Sequence, residues 1–148
     1  MKLTRILEEG YGSGAWHGPD LKAALADVSN ELAHWRPGSE RHSIAEIALH
    51  HAYCARSVLG QLTGKSADPF ILSGEDWFPL SEKTLAWPDI QRVVDTEQTR
   101  LAGAVAEIEA GRAESPLSED ARDALGLGIA CHAVYHAGQI QLIKRLHG

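Results

Sequence analysis

The stretch Cys131-His132-Ala133-Val134-Tyr135-His136-Ala137-Gly138-Gln139-Ile140 sets two imidazoles four residues apart inside a segment of helical periodicity. Residues at i and i+4 leave the same face of an α-helix with Cβ atoms about 5–6 Å apart. Two ring nitrogens at that spacing reach one divalent ion at about 2.0–2.1 Å. A third donor has to come from elsewhere, and the pair His50-His51 in the apolar-periodic segment Ser43 to Leu62 offers two candidates. Neighbouring helical side chains diverge by about 100°, so only one of the pair is expected to face a shared cavity. Ile44, Ala48, Ala55 and Val58 bracket His51, while Ile47, Cys54 and Val58 bracket His50, and periodicity does not choose between them.

Outward from that segment, a period near 3.6 recurs and strand-like alternation is nearly absent, which predicts an all-α chain. A short helix is expected over Leu3 to Glu9, ended by Gly10-Tyr11-Gly12-Ser13-Gly14. Those glycines resemble part of a phosphate loop, but no strand precedes them and no fingerprint leads into a helix, so they read as a plain loop. After Pro19, the residues Leu21, Ala24, Leu25, Val28, Leu32 and Trp35 predict one amphipathic core helix, stopped at Arg36-Pro37-Gly38. Ser43-Ile44-Ala45-Glu46 has the form of a capping box opening a helix that runs to Thr63-Gly64. Trp87-Pro88-Asp89 opens another, which Gly111 should end, and Ser118-Glu119-Asp120 opens the last. Gly126 and Gly128 inside that last helix imply either close packing or a break. Residues 64–87 lack periodicity and hold Asp68-Pro69, Ser73-Gly74 and Trp77-Phe78-Pro79, as expected of a long crossover connection.

Composition bounds the function. The chain has 148 residues, 44% hydrophobic and 23% charged, enough for one domain spanning residues 1–148 with a real core. A formal charge of -6, with Lys and Arg scattered, disfavours a nucleic-acid surface. No run approaches the roughly 18 apolar residues needed to cross a bilayer, and no apolar stretch of a signal peptide follows Met1 to Arg5. A cytoplasmic location is therefore expected, with Cys54 and Cys131 as reduced thiols.

Trp35-Arg36-Pro37, Ser43-Ile44-Ala45-Glu46-Ile47-Ala48-Leu49-His50 and His132-Ala133-Val134-Tyr135-His136-Ala137-Gly138-Gln139-Ile140 together resemble the DinB-like family of metal-binding four-helix bundles. The likeness covers nearly the whole chain, and the closing histidine-rich stretch is its more specific part. In that family one histidine follows the hydroxyl residue opening the second helix by seven positions, and a spaced pair comes from the last helix. Here the resemblance places the metal ligands at His50, His132 and His136. It further implies a four-helix bundle with a long crossover between the second and third long helices, a divalent ion that is commonly zinc or nickel, and a homodimer.

Three protein ligands with an open position are the arrangement of catalytic rather than structural zinc. Family members of known activity are transferases and isomerases using low-molecular-weight thiols such as bacillithiol or mycothiol. The resemblance thus implies a metal-dependent thiol S-transferase acting on a small electrophile, with a non-catalytic metal-dependent binding or stress protein as the alternative. A purely structural bundle is disfavoured, since converging imidazoles repel when protonated and gain little when neutral. Ala133 stands where the His-Glu-x-x-His proteases carry glutamate, which argues against proteolysis. Cys54, one turn from His50, is expected to be a small buried hydrophobe rather than a ligand. Glu46 is explained by capping. Tyr135 and Gln139 are placed to hydrogen-bond ligands from behind, and Trp16-His17 and Trp77-Phe78 to wall a pocket.

Overall fold

The computed structural model describes residues 2–12 and 14–148; Met1 and Ser13, the latter within the expected glycine-rich loop, lie outside them. The described residues form six helices and no strand: α1 (Leu3–Tyr11), α2 (Leu21–Leu25), α3 (Asn30–His34), α4 (Ile44–Thr63), α5 (Trp87–Glu109) and α6 (Glu119–His147).

The expected single helix from Leu21 to Trp35 is two short ones. Asp20 caps α2 by accepting the Ala23 amide at 3.0 Å, Asp27 then turns the chain at φ 57°, and Ser29 caps α3 through the Leu32 amide at 3.1 Å. Side chains that compete for backbone amides favour caps over helix interiors, and they override the apolar period here. The period keeps its purpose, since Leu21, Ala24, Leu25 and Val28 are all buried across the break.

The same Asp20 explains the glycine-rich loop. Its carboxylate receives the amides of Gly12 at 3.3 Å and Gly14 at 3.1 Å, so the amides that a phosphate would need are taken by a buried internal carboxylate.

The capping box at α4 is present in both directions, with Ser43 Oγ accepting from the Glu46 amide and Glu46 accepting from the Ser43 amide. Glu46 also accepts from the Leu80 amide at 3.0 Å and pairs with Arg36. Burial alone would raise this carboxyl, but the Ser43 and Leu80 amides and the Arg36 guanidinium outweigh it and hold the group below its usual range. One carboxylate thereby joins the start of α4, the segment before it and the long connection at residues 64–86.

Two apolar clusters fix how the helices run. One joins the N-terminal part of α4 (Ile44 to Ala52) to Trp87, Ile90 and Val94 of α5 and to Ala137, Ile140 and Ile143 of α6. The other joins Ala55, Val58 and Leu62 of α4 to Leu101 and Val105 of α5 and Ile129 of α6, with Leu3 and Leu7 of α1. Helices α4 and α5 therefore point the same way and α6 the opposite way. A 20-residue α4 is about 30 Å long, and residues 64–86 return the chain over that distance.

α6 is unbroken through its glycines. A Cβ on Gly126 would lie 2.6 Å from Leu3 Cδ2, and one on Gly10 would lie 3.0 Å from Ala133 Cβ and 3.1 Å from the Ala130 carbonyl. Close approach of α1 to α6 accounts for both residues. Among the described residues, nothing lies within 4 Å of a Cβ at Gly128.

Candidate metal centre

Where the two apolar clusters meet, α4 and α6 turn histidines toward each other. His50 (7% exposed), His51 (fully buried) and His136 (3%) are enclosed, and His132 is half-buried. His132 Nε2 lies 3.1 Å from His50 Nε2 and 3.1 Å from His136 Nε2. The resemblance-derived trio is thus together in space, with His132 between the other two.

The far side of each ring decides what these nitrogens are. His50 Nδ1 faces the Asp76 carbonyl at 2.9 Å and its carboxylate at 3.1 Å. His136 Nδ1 faces Gln139 Oε1 at 2.6 Å, and Gln139 Nε2 donates to the Tyr135 hydroxyl at 3.2 Å. Oxygens of these kinds only accept, so both Nδ1 atoms carry the proton. His132 is set by a relay: Gln98 Oε1 accepts from His51 Nε2 at 3.2 Å, which leaves His51 Nδ1 as acceptor for His132 Nδ1 at 3.1 Å. A neutral imidazole donates at one nitrogen and accepts at the other. His132 Nε2 therefore presents a lone pair between the Nε2 atoms of His50 and His136.

Burial and neighbouring imidazoles favour the neutral form of His51, His132 and His136. Burial first, then His132, pulls His51 down to about 3. Burial, then His136 and His50, pulls His132 down to about 4, and burial lowers His136 as well. Bonds of 2.0–2.1 Å in a tetrahedral site separate nitrogen donors by about 3.3 Å, close to the 3.1 Å found here. The donor set fits a divalent ion, and without a cation its lone pairs only repel.

Two sequence expectations need correction. His51 does not point away from the cluster, since it grips His132 from behind while His50 meets it in front. Nor is Cys54 merely a hydrophobe: its Sγ lies 3.9 Å from His50 Nε2, and donor atoms of His50, Cys54 and His132 all fall within 4.8 Å of one another. Burial, then the Asp76 carboxylate, pushes its thiol up to about 11. It is half-buried rather than fully buried, and it sits among the donors.

The long connection supplies what the sequence left unread. Trp77 lies flat between His42 and His50, with ring centroids 3.7 and 3.9 Å away and planes within 6°. Asp76 aims its carbonyl at His50 from a left-handed backbone, φ 64°, a conformation costing about 1–2 kcal/mol outside glycine. Strain of this kind gathers at functional sites. Phe78 is buried against Tyr53 and Phe70 and anchors the segment. Trp16, by contrast, is 93% exposed and His17 binds the Glu9 carbonyl, so that pair walls no pocket. Surface clefts of about 720 and 440 Å³ lie elsewhere, neither lined by these histidines.

The sequence profile of the DinB superfamily matches residues 15–140, which takes in α2 to α5, α6 as far as Ile140, and every histidine of the cluster. No curated protein and no solved structure gives a significant match.

Proposed function

The chain belongs to the DinB superfamily, and from that premise we propose that it binds one divalent ion through His50, His132 and His136 and uses it in an S-transfer reaction of a low-molecular-weight thiol. The observation that carries the reading is that His50 Nε2 and His136 Nε2 each lie 3.1 Å from His132 Nε2 while the Nδ1 atoms of all three rings are engaged on the outside. Zinc or nickel suits an imidazole set. We take residues 1–148 as one domain, a four-helix bundle in which α2 and α3 stand for one interrupted helix and residues 64–86 form the crossover.

When bound, the ion supplies a Lewis acid at which a small thiol is held as thiolate. The residues do the rest. Asp76, Gln139 and the Gln98–His51 pair orient the three rings, Trp77 closes one face of His50 against water, and half-buried His132 lies toward the open side. A thiol acidified there would lose its proton to solvent, and its sulfur would form a carbon–sulfur bond with a small electrophile whose leaving group departs with the electron pair of the broken bond. Cys54 Sγ lies 3.9 Å from His50 Nε2, longer than the roughly 3.5 Å expected between a nitrogen and a sulfur sharing a tetrahedral ion. This favours the histidine trio over a His50–Cys54–His132 set.

No helix among the described residues is long and apolar enough to cross a membrane. We place the activity in the cytoplasm, which the two unpaired cysteines support. The alternative, a metal-dependent binding protein without turnover, shares the site and differs in one measurement. Zinc- or nickel-loaded protein is expected to speed conjugation of bacillithiol, mycothiol or glutathione to a model electrophile above both metal-free protein and free ion. No acceleration across that panel removes the transferase reading and leaves the metal site standing.

A further inference from the structure

The helices that carry the histidine cluster are short of charge around it. From Ile47 to Leu62, α4 has Arg56 as its lone formally charged residue, and that guanidinium meets Glu97 of α5 at 3.5 Å. Glu46, one turn before His50, is paired with Arg36. From Ala124 to Ile143, α6 has no lysine, arginine, aspartate or glutamate. A charge reaches the cluster from the long connection instead. Asp76 sets Oδ1 3.1 Å from His50 Nδ1, yet its side chain is 62% exposed against 8% for that of His50. The carboxylate therefore stands at the boundary between the rings and solvent, and among the described residues no lysine or arginine pairs with it. Its field is felt across the cluster. After burial, Asp76 is the second cause of the raised Cys54 thiol, and it opposes the fall that burial, His136 and His50 impose on His132.

We propose that Asp76 selects by charge the small molecule admitted to this centre, favouring a cationic or uncharged thiol over one that bears a carboxylate. This rests on the thiol-transfer reading and narrows its substrate. A carboxylate entering the cluster meets a like charge and finds no free lysine or arginine on the facing stretches of α4 and α6 to replace its water, whereas an ammonium group finds a counter-charge. Solvent around Asp76 screens part of the field, so the expected preference is about tenfold. Asp76 also has a left-handed backbone, φ 64°, which aspartate and asparagine adopt more readily than other side chains with a Cβ. Asp76→Asn thus keeps the turn, keeps an oxygen for His50 Nδ1 and removes the charge.

The test is titration of the nickel-loaded full chain with cysteamine, 2-mercaptoethanol and 3-mercaptopropionate at one pH, read by the absorption band of a thiolate sulfur joining the ion. The affinity ratio of cysteamine to 3-mercaptopropionate in the natural chain, divided by the same ratio in Asp76→Asn, cancels the intrinsic basicity of each sulfur. A quotient of about ten is expected at low salt, falling toward one as salt rises. Nickel content measured beforehand separates thiol choice from metal retention. Gly128→Lys is the second arm. Gly128 is exposed one turn before His132, and among the described residues a Cβ there meets nothing within 4 Å. Its added ammonium is expected to move the preference toward 3-mercaptopropionate. A quotient near one at low salt overturns the proposal. If Asp76→Asn loses its nickel, Gly128→Lys decides alone, and an unchanged preference there overturns it. Absence of the band with all three thiols removes the thiol reading itself, and this selection with it.

Discussion

At the scale of single residues, the proposed centre depends on groups that would never touch its ion. Gln98 on α5 determines through His51 which nitrogen of His132 carries the proton. Gln98→Leu and His51→Phe are therefore expected to lower metal affinity by about 10- to 100-fold, the usual cost of losing an outer partner of a ligand. Competition with a chromophoric chelator measures it, and Gln98→Glu, which keeps an acceptor, should recover most of the loss. The spacing of His132 and His136 was legible in the sequence. The role of His51 was not, because helical angles describe one helix and say nothing of a ring approached from two sides. Acid should act on the same rings. His51 and His132 fall from an ordinary 6.5 to about 3 and about 4 in the folded chain, so the unfolded chain takes up protons first as pH drops below about 6.5. Metal-free protein should lose stability from about pH 6.5 down to about pH 3 in urea titrations, and His51→Phe should flatten part of that slope.

At the scale of elements, caps were readable and packing distances were not. Ser43 and Glu46 announce the start of α4 by their own chemistry, and α4 begins there. The break between α2 and α3 was hidden because the apolar period runs on through it while Asp27 and Ser29 act locally. Glycines inside helices carry no label saying whether they are needed. Gly10 is, since a methyl there would press on Ala133 and the Ala130 backbone, whereas one at Gly103 of α5 would meet nothing. Gly10→Ala is expected to destabilise the fold by about 1–3 kcal/mol through overpacking, and Gly103→Ala to stabilise it by about 1 kcal/mol through helix propensity. Thermal melts of the metal-free variants compare the two directly, and opposite signs are the expected result.

At the scale of the whole molecule, a connection without regular structure does as much for the site as the helices do. Residues 64–86 return the chain alongside α4 and on the way lay Asp76 and Trp77 on His50. Aromatic and aspartate residues in that stretch were visible in the sequence, yet contacts between a loop and a helix have no period from which to read them. The all-helical architecture was legible because long helices advertise themselves by spacing. The meeting of α4 with α6 was carried by the family likeness, which three short motifs conveyed. The central claim is that His50, His132 and His136 form one site, with Cys54 beside it but not in it. Metal content after loading with zinc or nickel and removal of excess tests this most directly. About one ion per chain is expected for the natural sequence and for Cys54→Ala, and greatly weakened binding for His50→Ala, His132→Ala and His136→Ala, because three ligands leave no spare. Full occupancy in His132→Ala, or loss of the ion in Cys54→Ala with retention in His136→Ala, would contradict it.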